Sequence, residues 1–223
     1  MRRLLVPLLL ASLTVAACGE TNSKSSASPT PSATNEQVAQ PTPTVEVLAP
    51  PADIDTSGWQ LYRDEAHGFE LKYPPDARLT RDAPAEPGVR GNRPGVRVDL
   101  PKAPGTNLVG KYVFITVSER SVETCGPPGL GGTPVGAKPP QGVESVRYNG
   151  VDFWKEQILA GMMMHAWGGA SYWASNGVSC VTMSTVLASI SPSALSTPPP
   201  RFDMEEEAEI FPAIMSTFRW LDQ

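Results

Sequence analysis

The chain has 223 residues, a formal net charge of −5 and only 18 lysines and arginines, which argues against nucleic acid and against an electrostatic hold on anionic lipid. Its one long apolar run lies at the N-terminus and falls short of the roughly 20 residues that a membrane-spanning helix needs. The 24 prolines and 19 glycines follow no G-X-Y period, which excludes a collagen-like chain.

Arg2 and Arg3 open the chain as a short positive region. An apolar stretch follows from Leu4 to Ala16, interrupted by Pro7, Ser12 and Thr14. It closes on Val15-Ala16-Ala17-Cys18, which resembles the lipobox of bacterial lipoproteins. The resemblance implies a signal peptide over residues 1–17 and a mature chain that begins at Cys18, acylated with diacylglycerol and fatty chains such as palmitate. It therefore implies an extracytoplasmic protein whose contact with the membrane runs through the lipid on Cys18. Two or three acyl chains give stable anchoring where one binds only marginally. The plain alternative is a secreted protein with an incidental cysteine. Loss of Arg2 and Arg3 with the signal takes the net charge to about −7.

Residues 18–56 are rich in Ser, Thr, Ala and Pro and almost free of aromatic side chains. Such a segment buries too little apolar surface to offset the entropy of ordering, so a disordered tether is expected. Its Pro-Thr-Pro stretches favour polyproline-like extension, with a random-coil span of about 35 Å.

The composition changes at Trp59, and one domain over residues 57–223 is expected. Residues 59–62 form a first strand. Phe69, Leu71 and Tyr73 alternate in a second, stopped by Pro74-Pro75. Val96, Val98 and Leu100 alternate in a third, after a Pro/Gly/Arg-rich loop over residues 83–94. Residues 111–119 carry apolar groups on both faces, as a central strand covered on both sides would. A long Gly/Pro loop spans residues 125–142. Asn149-Gly150 and Asn176-Gly177 then mark two type I′ hairpins, with strands near 143–148, 151–160, 162–174 and 178–188.

The last segment reads as a helix. Met204, Ala208, Phe211, Met215 and Phe218 form one apolar stripe. Asp203 caps it, with Glu206 placed for a capping box. Glu205, Glu206, Glu207 and Glu209 read as a solvated helix start, and Pro212 removes the bond to the Ala208 carbonyl. The fold class expected is α+β, an antiparallel sheet covered by helix.

Tyr62 followed by Gly68-Phe69-Glu70-Leu71-Lys72-Tyr73-Pro74 resembles the opening of bacterial lipoproteins with a PsbP-like domain. Ile214-Met215-Ser216-Thr217-Phe218-Arg219-Trp220 resembles their close. The resemblance implies an α/β/α sandwich like that of the photosystem II extrinsic protein PsbP, and no photosynthetic role. It carries no functional residue over.

Cys125 and Cys180 are the thiols left once Cys18 is acylated. An even pair in an exported protein points to a disulfide, with two inert buried thiols as the rival reading. Trp154, Trp167, Tyr172 and Trp173 fall within two adjacent hairpins, as a binding face or as core. Gly105 to Lys111 nearly spells a phosphate-binding loop, but Tyr112 replaces the Ser or Thr that must reach magnesium, and a strand follows where a helix should. Met162-Met163-Met164-His165 has the soft donors that suit copper(I). Read within one continuous strand, these residues alternate between faces, and no second cluster completes a shell, so no stoichiometric copper and no cofactor is expected. His67, beside Asp64 and Glu65, reads as a solvated loop histidine.

The sequence thus implies a lipid-anchored cell-envelope protein acting as a non-enzymatic binding or accessory module toward an envelope protein or ligand. An envelope hydrolase using carboxylates is the alternative, and a copper carrier the second.

Overall fold

The computed structural model describes residues 45–49, 53–85, 93–119, 124–127 and 141–221. The expected signal segment, Cys18 and most of the expected tether lie outside the described residues.

Eleven strands are present among the described residues: β1 (Glu46–Val47), β2 (Gln60–Asp64), β3 (Phe69–Tyr73), β4 (Arg78–Ala83), β5 (Gly95–Asp99), β6 (Leu108–Glu119), β7 (Val143–Tyr148), β8 (Val151–Met162), β9 (His165–Ser175), β10 (Ser179–Ile190) and β11 (Arg219–Trp220). Two short helices, α1 (Met204–Ala208) and α2 (Ile210–Ser216), precede β11. The large sheet runs β1-β7-β8-β9-β10-β6-β5-β4, and a small sheet runs β11-β3-β2. Every pairing is antiparallel except β1 with β7. β1 lies within the segment expected as tether.

The small sheet and α2 pack on one face of the large sheet. Phe69 and Leu71 of β3, Ile214 and Met215 of α2, and Phe218 share one buried cluster with Val113, Ile115, Phe153, Tyr172 and Met183 of the large sheet. Phe218 joins the layers: its ring lies 5.6 Å from Phe69, 5.4 Å from Phe153 and 5.1 Å from Trp220. Aromatic pairs at such separations add to the burial of their area. The Thr217 hydroxyl accepts from the Lys72 amide at 2.8 Å and so fixes the close of the chain against β3.

The opposite face of the large sheet carries its own buried stripe, built from Ala83, Tyr112, Phe114, Ile158, Val186 and Ala188. β6, between β10 and β5, is therefore buried on both faces, as its two-sided apolar pattern requires. One glycine is needed for β9 to lie against β10: at Gly169 (φ +142°) a Cβ would stand 1.9 Å from the Thr185 carbonyl oxygen.

The expected α/β/α sandwich is not what forms: the domain is sheet-dominated. Among the described residues the only α-helices are α1 and α2, and the covering layer is largely the small sheet. The stretch after Pro74-Pro75, where such sandwiches carry a helix, forms β4 instead, paired to β5. Leu79 packs against the main core and Ala83 belongs to the opposite stripe, because the register shifts between Thr80 and Ala83, where Asp82 has φ +52°.

The C-terminal helix is also shorter than its stripe implied. Asp203 caps α1, accepting from the amides of Glu205 and Glu206 at 2.9 and 3.2 Å. The helix then breaks at Glu209, next to the Ala208 carbonyl that Pro212 leaves without a donor. Phe211 and Met215 are buried, whereas Met204 is exposed. Glu207, read as solvated, is buried: it accepts from the Ala103 amide at 2.6 Å and pairs with Lys111.

Asn149 (φ +47°) and Gly150 (φ +78°) form the expected type I′ reversal. The second Asn-Gly differs. Only Gly177 has positive φ there, and the Asn176 side chain accepts from the amides of Val178 and Ser179 at 3.1 and 2.8 Å. That is an Asx-type turn in a three-residue loop, in which the Asn side chain replaces a backbone acceptor.

Candidate binding site at the β8–β9 hairpin end

The third tight reversal of the large sheet has no glycine and no asparagine. β8 ends at Met162, β9 begins at His165, and Met163-Met164 make the turn. The chain reverses inside the Met-His run, so reading it as one alternating strand fails. Met162 and His165 are instead cross-strand partners, and directly opposed residues share a face of the sheet. The three methionines are 58, 98 and 51 % exposed. Met163 also has φ +54°, a left-handed conformation that a non-glycine residue adopts at a cost.

The His165 ring stacks on Trp167, with centroids 6.0 Å apart and planes 28° apart. Beside the turn lies a cavity of about 440 Å³, lined in part by Met163, Met164, His165, Met204 and Arg201. Its volume is in the range of small-molecule sites. Asn107 braces its wall: the amide donates to the Ile190 carbonyl at 2.9 Å and the side-chain oxygen accepts from the Phe202 amide at 3.0 Å. Asn107 belongs to the near phosphate-loop sequence, whose residues here fix the ends of β6 and β10.

A second cavity of about 340 Å³ lies at the β2–β3 turn, lined in part by Arg63, Glu65, His67, Asn176 and Ser179. His67 is not free in solvent: its Nδ1 is 2.9 Å from Asp64 Oδ2, and its amide donates to Asp64 Oδ1 at 3.1 Å. Asp64 thus orients the ring, a signal that the local Asp-x-x-His spacing carried.

The four aromatic residues read as a possible face do not form one. Trp154, Trp173 and Tyr172 are buried. Trp154 and Trp173 are cross-strand partners that enclose Cys125 and Cys180, while Tyr172 points into the main core. Trp167 is half-buried at the edge of the opposite stripe. The physical reason is alternation: Trp173 and Tyr172 are neighbours on one strand and lie on opposite faces.

Cys125 and Cys180 form a disulfide, with Cα atoms 5.4 Å apart. It ties the loop after β6 to the start of β10. The two buried carboxylates among the described residues are each engaged by cations. Glu70 pairs with Arg219 and has Arg63 Nη1 at 3.6 Å, and Glu207 pairs with Lys111 at 2.8 Å. They lie on β3 and α1 and do not converge on one site. Among the described residues no group of three or more His, Cys, Asp or Glu side chains gathers as a metal site. No helix among them is long and apolar enough to cross a membrane.

No family model matches the chain, and no curated protein matches it. Among solved structures, a crystal structure from Bacteroides thetaiotaomicron VPI-5482 is similar at 11 % identity and a TM-score of 0.46, over 74 % of this chain and 49 % of that one. This chain thus spans about half the length of that neighbour. The solution structure of cyanobacterial PsbP (CyanoP) from Synechocystis sp. PCC 6803 is similar at 12 % identity and a TM-score of 0.41, over 78 % of this chain and 98 % of that one. A PsbP structure is therefore among the neighbours at low identity, and nothing about activity passes from it.

Proposed function

We propose that this protein is a lipid-anchored cell-envelope module that acts by binding rather than by catalysis, and that its binding end is the β8–β9 hairpin. The observation that carries the reading is the exposed run Met162, Met163 and Met164, of which Met163 and Met164 line a cavity of about 440 Å³. Methionine ordinarily fills cores, and an exposed, adaptable thioether surface is a feature of binding sites. The hairpin offers no nucleophile paired to a base, and the oriented His67 lies in a separate cavity.

The anchor is supported by Arg2-Arg3, the apolar run and Val15-Ala16-Ala17-Cys18. A folded binding domain held to a lipid by a tether that ends where β1 joins the large sheet samples a volume close to its membrane. Two measurements test the reading. In the native host, mass spectrometry of the mature N-terminus is expected to find diacylglyceryl-Cys18, and Cys18→Ala is expected to move the protein from the membrane fraction to the soluble one. A photo-crosslinking residue at position 163 in intact envelopes is expected to form a discrete adduct that the same residue at exposed Leu61 does not form. Equal adducts at both positions would remove the hairpin as the binding end.

A further inference from the structure

We propose that the β8–β9 hairpin end binds one soft monovalent cation of the copper(I) or silver(I) class. Its ligands are the Met162 thioether, the His165 imidazole and one turn thioether, Met163 or Met164, beside the face of Trp167. The inference rests on reading this domain as a binding module and names its ligand class. It does not need the lipid anchor, so the two fail separately.

Four observations converge. First, Met162 and His165 are directly opposed across the hairpin, and opposed Cβ atoms lie about 4.5–5.5 Å apart, within reach of one bridging cation. Second, three consecutive thioethers are spent on the surface, at 58, 98 and 51 % exposure, while Met183 and Met215 are buried core side chains. Packing therefore does not account for the run. Third, Met163 occupies φ +54°, where the other two tight reversals place Asn149-Gly150 or Gly177. A strained non-glycine residue at an exposed tip marks selection for its side chain rather than its backbone. Fourth, the His165 ring stacks on Trp167 at 6.0 Å. That contact fixes the imidazole and sets an aromatic face, which attracts cations, beside the site.

The donor set decides the metal. Thioether and imidazole are soft to intermediate ligands and select copper(I) over magnesium, calcium or manganese, which take oxygen donors. A structural zinc site takes four ligands from thiolate, imidazole and carboxylate, and among the described residues no cluster of three such groups is present. Three neutral donors suit a single positive charge.

The test uses the full chain carrying Cys18→Ser, with the Cys125–Cys180 disulfide intact, so that none of the three cysteines competes as a free thiol. Silver(I) serves as a redox-inert probe and copper(I) is added anaerobically in parallel. Methionine methyl groups are labelled for NMR. One equivalent of silver(I) is expected to saturate the site. The Met162 methyl and one turn methyl are expected to shift, with Met183 and Met215 unmoved. Tryptophan emission is expected to be quenched, and Trp167→Phe to remove most of that quenching. Met162→Leu and His165→Ala are each expected to weaken binding at least tenfold, His67→Ala to leave it unchanged, and zinc(II) not to compete. Absence of a saturable equivalent would overturn the proposal. So would undiminished affinity in the Met162→Leu/His165→Ala double variant, whose fold is checked by its unchanged Met183 and Met215 methyl signals.

Discussion

Lys111 of β6 and Glu207 of α1 form a buried ion pair, Nζ to Oε2 2.8 Å, with both side chains about one-tenth exposed. It is the polar link between the short helix α1 and the large sheet. The other Glu207 oxygen accepts from the Ala103 amide at 2.6 Å, so the carboxylate is held from two sides. Two charges removed from water repay their desolvation only when their geometry is good and their remaining valences are met. Breaking such a pair from one side leaves the other charge buried alone.

Glu207→Gln keeps the shape and an acceptor for Ala103 but strands the Lys111 ammonium. Urea unfolding is expected to show a loss of about 3 kcal/mol. The double change Lys111→Met with Glu207→Leu is expected to recover much of that loss, because neither charge remains to be stranded. A double variant as unstable as Glu207→Gln alone would show that the pair contributes through more than charge compensation.

The disulfide gives a second prediction. It closes a span of 55 residues between Cys125 and Cys180, and on the chain-entropy model a loop of that size stabilises by up to about 4 kcal/mol. Reductant, or Cys125→Ser with Cys180→Ser, is expected to lower the unfolding midpoint by a corresponding amount. Trp154 and Trp173 pack against the bridge, so their emission is expected to report the same transition. An unchanged midpoint under reducing conditions would show that the unfolded chain gains little freedom when the bridge opens.

This bridge was legible from cysteine counting, and most strands were legible from alternation. What escaped the sequence has identifiable physics. Glu70 and Glu207 sit at positions that alternation or helix charge assigns to solvent, yet arginine and lysine from distant segments cover them. β4 carries only Leu79 and Ala83 as apolar markers, too weak a period to declare a strand before its partner β5 is known. The reversal at Met163-Met164 uses no turn-forming residue, so Met162 and His165 read as separated by alternation when they are paired by a hairpin. Of the two readings of the aromatic run the core one holds for Trp154, Tyr172 and Trp173: they are close in space, but two point into one cluster and the third into another.

Three phenols yield a prediction on the alkaline side. Burial pushes Tyr62 up to about 12, with the Asp64 carboxylate adding to it. Burial likewise raises Tyr148 and, much further, Tyr172. The folded state then holds protons that the unfolded chain gives up near pH 10. The stability tied to Tyr62 is therefore fully present below about pH 10 and lost as pH rises through about 12, and Tyr148 and Tyr172 add to the loss in the same direction. Absorbance titration at 295 nm is expected to show Tyr62, Tyr148 and Tyr172 ionising later in the folded protein than in urea. The unfolding midpoint is expected to fall over the same window. Five phenols titrating together near pH 10 in the native protein would contradict the burial of Tyr62, Tyr148 and Tyr172.

The last prediction concerns the turn. Met163 is held at φ +54°, whereas Met164 is not in a left-handed conformation. A side chain with a Cβ pays about 1 kcal/mol or more in that region, and glycine does not. Met163→Gly is therefore expected to stabilise the hairpin by about 1 kcal/mol, measured as a higher urea midpoint. Met164→Gly removes no strain and adds backbone freedom to the unfolded chain, so it is expected to cost about 0.5–1 kcal/mol. The two substitutions delete the same thioether chemistry from adjacent positions, so opposite signs isolate the backbone term. Were both to destabilise, Met163 would be making contacts that outweigh its strained backbone. Packing rather than ligand binding would then be the reason that Met163 is kept. A gain in stability on removing Met163 would mean that the natural residue is kept at a cost to the fold, as residues at binding sites often are.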